Sequence, residues 1–263
     1  AQQVLFQMTI NKVFEKEYGS KVSDKEVDKE LAKQKKQLGN QFDAYLAQQG
    51  LTEETAKKQI RSNMLLEYAV NQAAKKDIKE SDYKEAFESY TPEVTAQIIK
   101  LDSEDKAKEV LEAAKAEGAD FAQIAKDNST DTATKDKGGE VKFDSGTADI
   151  PSQVKEAAFK LDENGISDVI TVSAGQNYSA SYYIVKLNKK TEKGSDWKKY
   201  EKRLKEIIVD GRKQDTNYIR SVIAKAMTNA NIKVKDDAFK STFNQYLQNI
   251  GVQTSDSSSS SKK

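Results

Sequence analysis

Glu93-Val94-Thr95-Ala96-Gln97-Ile98-Ile99, directly after Thr91-Pro92, is where the hydrophobic period of this chain changes. Val94, Ala96 and Ile98 alternate against Thr95, Gln97 and Ile99, the two-residue repeat of a strand. Upstream the spacing is helical. Ser23 and Glu26 stand as a capping-box pair, and Val27, Leu31, Leu38, Phe42, Tyr45 and Leu46 follow at intervals near three, four and seven until Gly50 stops the run. Thr52 is placed to cap a second helix with a buried stripe of Ala56, Ile60, Met64 and Tyr68. A third, short helix carries Tyr83, Phe87 and Tyr90 before Thr91-Pro92 breaks it. The first residues already sit in a helical pattern on Val4, Met8 and Phe14, with no basic and apolar leader, which points to further residues upstream.

Downstream of residue 93 the pattern is mixed. Helical spacing returns at 105–116, at 120–127 behind an Asp120-x-x-Gln123 cap, and at 152–161. Gly138-Gly139 and Gly146 mark loops, and strands close the segment at 169–172 and 182–187. After Lys193-Gly194 a long helical pattern puts Trp197, Tyr200, Leu204, Ile207 and Ile208 on one face. It continues through Tyr218, Ile219, Val222, Ile223 and Met227, with a bend expected near Gly211. Ile232 to Val234 is a short strand candidate, and Phe239, Phe243, Tyr246 and Leu247 form a last amphipathic helix. The division read from these patterns is 1–92 helical, 93–190 mixed, 191–250 helical, and a disordered Ser-rich tail at 251–263.

Composition removes whole classes of chemistry. The 263 residues include no histidine and no cysteine, so triads, thiol nucleophiles, disulfides and the usual zinc sites are out. Acidic pairs such as Asp236-Asp237 lack the spacing of a calcium loop, and neither metal nor cofactor is expected. Lys plus Arg (43) balances Asp plus Glu (42), and only four of the basic residues are arginine, which argues against a nucleic-acid partner. Apolar runs such as Tyr182 to Val185 fall far short of the ~20 residues of a membrane-spanning helix.

Several pieces in order carry a resemblance: Thr95-Ala-Gln-Ile-Ile99, Asp120-Phe-Ala-Gln-Ile-Ala125, Gly138-Gly-Glu-Val141, Lys155-Glu-Ala-Ala-Phe-Lys-Leu161, Gly165-Ile-Ser167 and Ser181-Tyr-Tyr-Ile-Val-Lys-Leu187. The segment resembles the parvulin family of peptidyl-prolyl isomerases. Residues 22–70 are similar to the helical region of SurA and PrsA-type chaperones, and residues 195–247 to the C-terminal helices of PrsA-type foldases. The resemblance implies an α+β chain: a helical chaperone lobe built from the N- and C-terminal segments, with a parvulin-like domain of small antiparallel sheet and helices inserted. It further implies a lipid-anchored foldase at the outer face of the cell membrane of Gram-positive bacteria, acting on unfolded or partly folded secreted proteins. The anchor itself would lie outside this chain, and homodimerisation is left open.

The family's functional positions fall on unexpected residues. Its two histidine positions are occupied by Gln97 and Tyr183, and its Cys-or-Asp position by Asp131. Through the resemblance Gln97 and Tyr183 are neighbours in the sheet, able to replace the histidines as a hydrogen-bonding pair, with Phe143, Ile150 and Val154 nearest to the proline pocket. Two outcomes are therefore weighed. One is a foldase whose isomerase activity is weak or lost; the other is a working isomerase using Asp131, Gln97 and Tyr183. A surface interaction protein with no foldase role is the third reading.

Overall fold

Helix α1 runs Gln2–Tyr18 and α2 Asp24–Leu38, and Ser23 caps α2 in a reciprocal capping box with Glu26. The computed structural model describes residues 2–174, 179–230 and a few positions beyond 230. The helical run expected to reach Gly50 is interrupted: after Leu38 a single 3-10 turn at Gly39–Gln41 leads into α3, Phe42–Gln48. Gly39 at φ 50 is the reason, since an L side chain resists that conformation. The turn rotates the face, so Phe42 and Leu46 stay buried while Tyr45 is 43% exposed.

Thr52 caps α4, Glu53–Lys76, through the amide of Thr55. Its stripe of Ala56, Ile60, Leu65, Ala69, Val70 and Ala74 is buried, each large aliphatic side chain contributing roughly 1.5–3 kcal/mol. Met64, partly buried, packs against the core, and Met8 on α1 is 62% exposed. The expected bend after residue 195 falls elsewhere than Gly211. A 3-10 turn at Trp197–Tyr200 precedes α9, Glu201–Gln214, which passes straight through Gly211. The break comes at Asp215, whose carboxylate accepts the Asn217 amide at 2.8 Å and caps α10, Thr216–Asn229. Apart from Ile232, the strand candidate at 232–234 lies outside the described residues. So do Phe239, Phe243, Tyr246 and Leu247 of the last helical pattern, and the tail at 251–263.

Packing divides the chain into two units, Ala1–Asp82 with Lys205–Lys263, and Tyr83–Leu204. The first has one core, in which Phe14, Val27, Leu31, Phe42, Leu65 and Met227 meet across α1, α2, α3, α4 and α10. The Arg61 guanidinium ties α4 to Glu15 of α1 with paired bonds of 2.8 and 2.9 Å and reaches the Gly19 and Val22 carbonyls.

The second unit starts within α5, Glu80–Ser89, and is larger than the 93–190 read from the pattern. Ring contacts explain the difference: Tyr83 stacks on Trp197 at 5.1 Å and Phe87 on Tyr200 at 5.9 Å, while Tyr90 meets Tyr200 at a tilt, 5.2 Å between centroids. Such pairs add about 0.5–1.5 kcal/mol each beyond area burial. Its sheet is antiparallel in the order β2-β1-β4-β3, with β1 Val94–Leu101, β2 Glu140–Phe143, β3 Ile170–Ala174 and β4 Ser179–Lys189. The sequence pattern does not mark β2 as a strand, because four residues are too short to show a period. Helices α6, Glu104–Lys115, and α7, Phe121–Asn128, cover one face through Ile99, Leu101 and Ile184. Helix α8, Ser152–Lys160, covers the other through Ala96, Ile98, Val185 and Leu187.

Candidate functional site

Gln97 occupies the middle of β1, directly across from Glu140 on β2 and Lys186 on β4. Side chains alternate along a strand, so Gln97 shares the face of Ile99, the α6–α7 side. Its Nε2 donates to the Gly138 carbonyl at 3.0 Å. Tyr183 stands across from Lys100 of β1 and Ile170 of β3, and packs with Val185 and Leu187 in the α8-side core. Gln97 and Tyr183 therefore point to opposite faces of the sheet, and the expected side-by-side pair does not form. The unbroken register from Gln97 opposite Lys186 to Lys100 opposite Tyr183 decides this, and it cannot be read from local sequence.

Asp131 is consumed by its own loop. One carboxylate oxygen accepts the Ala133 amide at 3.1 Å and the other the Thr134 hydroxyl at 2.6 Å. The buried Ser129 hydroxyl pins this loop to β1, accepting the amides of Lys100 and Asp131. Gly138 and Gly139 follow with φ of 67 and 80. A Cβ on Gly139 would stand 2.4 Å from the Ile98 carbonyl oxygen, so the pair permits close backbone approach to β1.

Of the three side chains expected near a proline pocket, Phe143 and Val154 are 1% and 0% exposed. They correct that expectation, because they are sealed in the core with Phe159 and offer no surface to a ligand. Only Ile150, at the core's edge, remains partly exposed.

A group that pattern reading misses is Asp144, buried on the loop after β2. Arg203 clamps it with both nitrogens, Nε at 2.6 Å and Nη2 at 2.9 Å, and Tyr90 donates its hydroxyl at 3.1 Å. Thr147 and the Gly146 amide complete the shell. Burial alone would raise the Asp144 pKa, but hydrogen bonds from Arg203 and Thr147 and the Arg203 charge outweigh it, so the carboxyl is held below its ordinary value. Tyr90 is pushed up, first by burial and then by the Asp144 charge. Lys155 fixes the same loop through the Ser145 and Thr147 carbonyls. The cluster ties together the residues that enter and leave the sheet.

The helical unit carries open concavities. One of about 360 Å³ lies between α4 and the α9–α10 corner, with Leu66, Val70 and Ile219 as its apolar lining. A second of about 490 Å³ lies along α1 beside Val13, Lys12 and Lys16, reaching Ala226 and Ile232.

A four-stranded antiparallel sheet with helices on both faces, inserted between the two stretches of a helical unit, defines the class: a foldase-type chain with a parvulin-type domain. Residues 90–189 match the family of PPIC-type PPIase (rotamase) domains. The chain is 61% identical over 251 residues to foldase protein PrsA of Streptococcus sanguinis strain SK36, covering 95% of this chain and 75% of that protein. The crystal structure of foldase protein PrsA from Streptococcus pneumoniae superposes with a TM-score of 0.85 at 55% identity, covering 94% of this chain and 90% of that one. That from Lactococcus lactis does so at 0.76 and 37% identity, covering 93% and 88%. This chain belongs to the PrsA foldase family.

Proposed function

We propose that this foldase works mainly by holding extended client segments on its helical unit, and that its parvulin-type domain has weak prolyl isomerase activity or none. The clients are unfolded or partly folded secreted proteins, met outside the cytoplasmic membrane by a protein lipid-anchored through residues upstream of this chain. Family membership supports that setting, and the open apolar grooves of the helical unit support the holding role.

The observation that carries the isomerase half of the reading is the placement of Gln97 and Tyr183 on opposite faces. Rotation about an X-Pro bond faces a barrier of about 18–20 kcal/mol and needs no nucleophile. It does need an apolar seat for the ring and polar groups that favour the twisted amide over both planar forms. Two groups separated by a sheet cannot serve one bond. Gln97 directs one N–H of its amide to Gly138, Asp131 commits its acceptors to the 131–134 turn, and Phe143 and Val154 are inaccessible.

Magnetisation exchange between cis and trans Ala-Pro peptide, by NMR without any coupled protease, tests this. The expected result is at most slight acceleration, unchanged in Gln97→Ala. Strong acceleration abolished by Gln97→Ala or Tyr183→Phe would overturn it in favour of a working isomerase.

A further inference from the structure

We infer that the groove between α4 and the α9–α10 corner receives an extended client segment that carries one large apolar side chain next to a lysine or arginine. The inference rests on the reading of the helical unit as the client-holding part.

The groove's volume of about 360 Å³ lies near the lower end of the roughly 300–1,000 Å³ spanned by small-ligand pockets. It has room for one or two side chains and not for a docked helix. Leu66 and Ile219 are half-buried and Val70 is buried, and together they give the groove its apolar lining. Asn63 and Gln214 also line it; each side-chain amide offers a donor and an acceptor to the peptide groups of an extended chain, whatever its sequence.

Charge on the rim supplies the selectivity. Two carboxylates, Glu67 and Asp210, and one ammonium, Lys213, line the groove. Glu67 is 68% exposed and meets Lys213 at 3.5 Å, a long surface pair of the kind worth little and readily exchanged. Asp210 is exposed and has no ion pair among the described residues. A cationic side chain arriving beside the apolar anchor gains Asp210 outright and competes with Lys213 for Glu67. An acidic neighbour meets two like charges.

The test uses the whole chain and short fluorescent peptides on a Gly-Ser framework with Phe-Lys, Phe-Glu or Ala-Lys at the centre, read by anisotropy. Phe-Lys should bind tightest. The combined Glu67→Gln and Asp210→Asn variant should weaken it roughly two- to fivefold, the size carried by exposed charge pairs. Glu67→Lys with Asp210→Lys should reverse the order of Phe-Lys and Phe-Glu, while Lys213→Ala should strengthen Phe-Lys. The charged positions are exposed, and circular dichroism verifies that each variant is folded. Equal affinities for Phe-Lys and Phe-Glu, or insensitivity to the charge variants while client aggregation is still suppressed, overturn the proposal but leave the holding role standing. A dimer in sedimentation that Leu66→Ser dissociates overturns it too, with a second copy as the occupant. Failure of the unaltered chain both to bind peptide and to suppress aggregation removes the underlying reading.

Discussion

Asp144 concentrates more interactions on one carboxylate than any residue singled out from the sequence. Its side chain is 8% exposed and that of Arg203 33%, so removing the charge takes from a partly buried guanidinium the carboxylate it clamps. Asp144→Asn should cost about 3 kcal/mol, the lower end of what breaking a buried pair costs. The pH dependence follows from the depressed carboxyl. Because the folded-state pKa lies below the ordinary 3.8, the contribution is fully present above that value and is lost as pH falls below it toward the folded-state value. Acid unfolding followed by circular dichroism should therefore be shallower in Asp144→Asn than in the unaltered chain. Sequence reading passes over this residue because its partners are 54 and 59 positions away, and nothing local distinguishes a buried Asp from one in a solvated turn. Gln97 and Tyr183 illustrate the reverse. Their identities are legible, but the face each occupies depends on strand register, which is a property of the assembled sheet.

Among the elements, local signals are the reliable ones. The period switch at residue 93 and the caps at Ser23, Thr52 and Asp120 all appear where the spacing places them, because a cap and its first turn are contiguous in sequence. The α9–α10 junction departs from its expected position, because the glycine does not break the helix and the Asp215 cap starts a new one. The two residues should respond oppositely to alanine. Gly211 lies inside α9, and the space a Cβ would enter is open to 4 Å, so Gly211→Ala should stabilise by about 0.5–1 kcal/mol. Asp215→Ala removes the α10 cap and should destabilise by about 1 kcal/mol. Thermal melts of both variants check the pair of signs.

Across the whole molecule, two units with separate cores share one chain, and the second is delimited by packing further out than its sequence pattern suggests. A fragment covering residues 83–204 keeps Tyr90, Arg203 and the stacked rings; one covering 93–190 loses them all. Both retain the sheet, so both should show strand signal, but the longer fragment should melt higher by at least ~12 °C. That is what about 3 kcal/mol makes in a domain of this size. Equal melting temperatures would show the flanking rings and the Asp144 clamp to be energetically idle.

The stacked Trp197 is also the one tryptophan in the chain. Emission excited at the red edge of the aromatic band thus reports on the second unit alone, whereas far-ultraviolet dichroism is dominated by the helices of the first. Urea titrations watched both ways should trace separate curves if the units unfold independently, and a single curve if they unfold together. If the units unfold independently, the fluorescence curve responds to Asp144→Asn and ignores Asp215→Ala, which makes one indole ring a built-in gauge of which half of the molecule a given change has weakened.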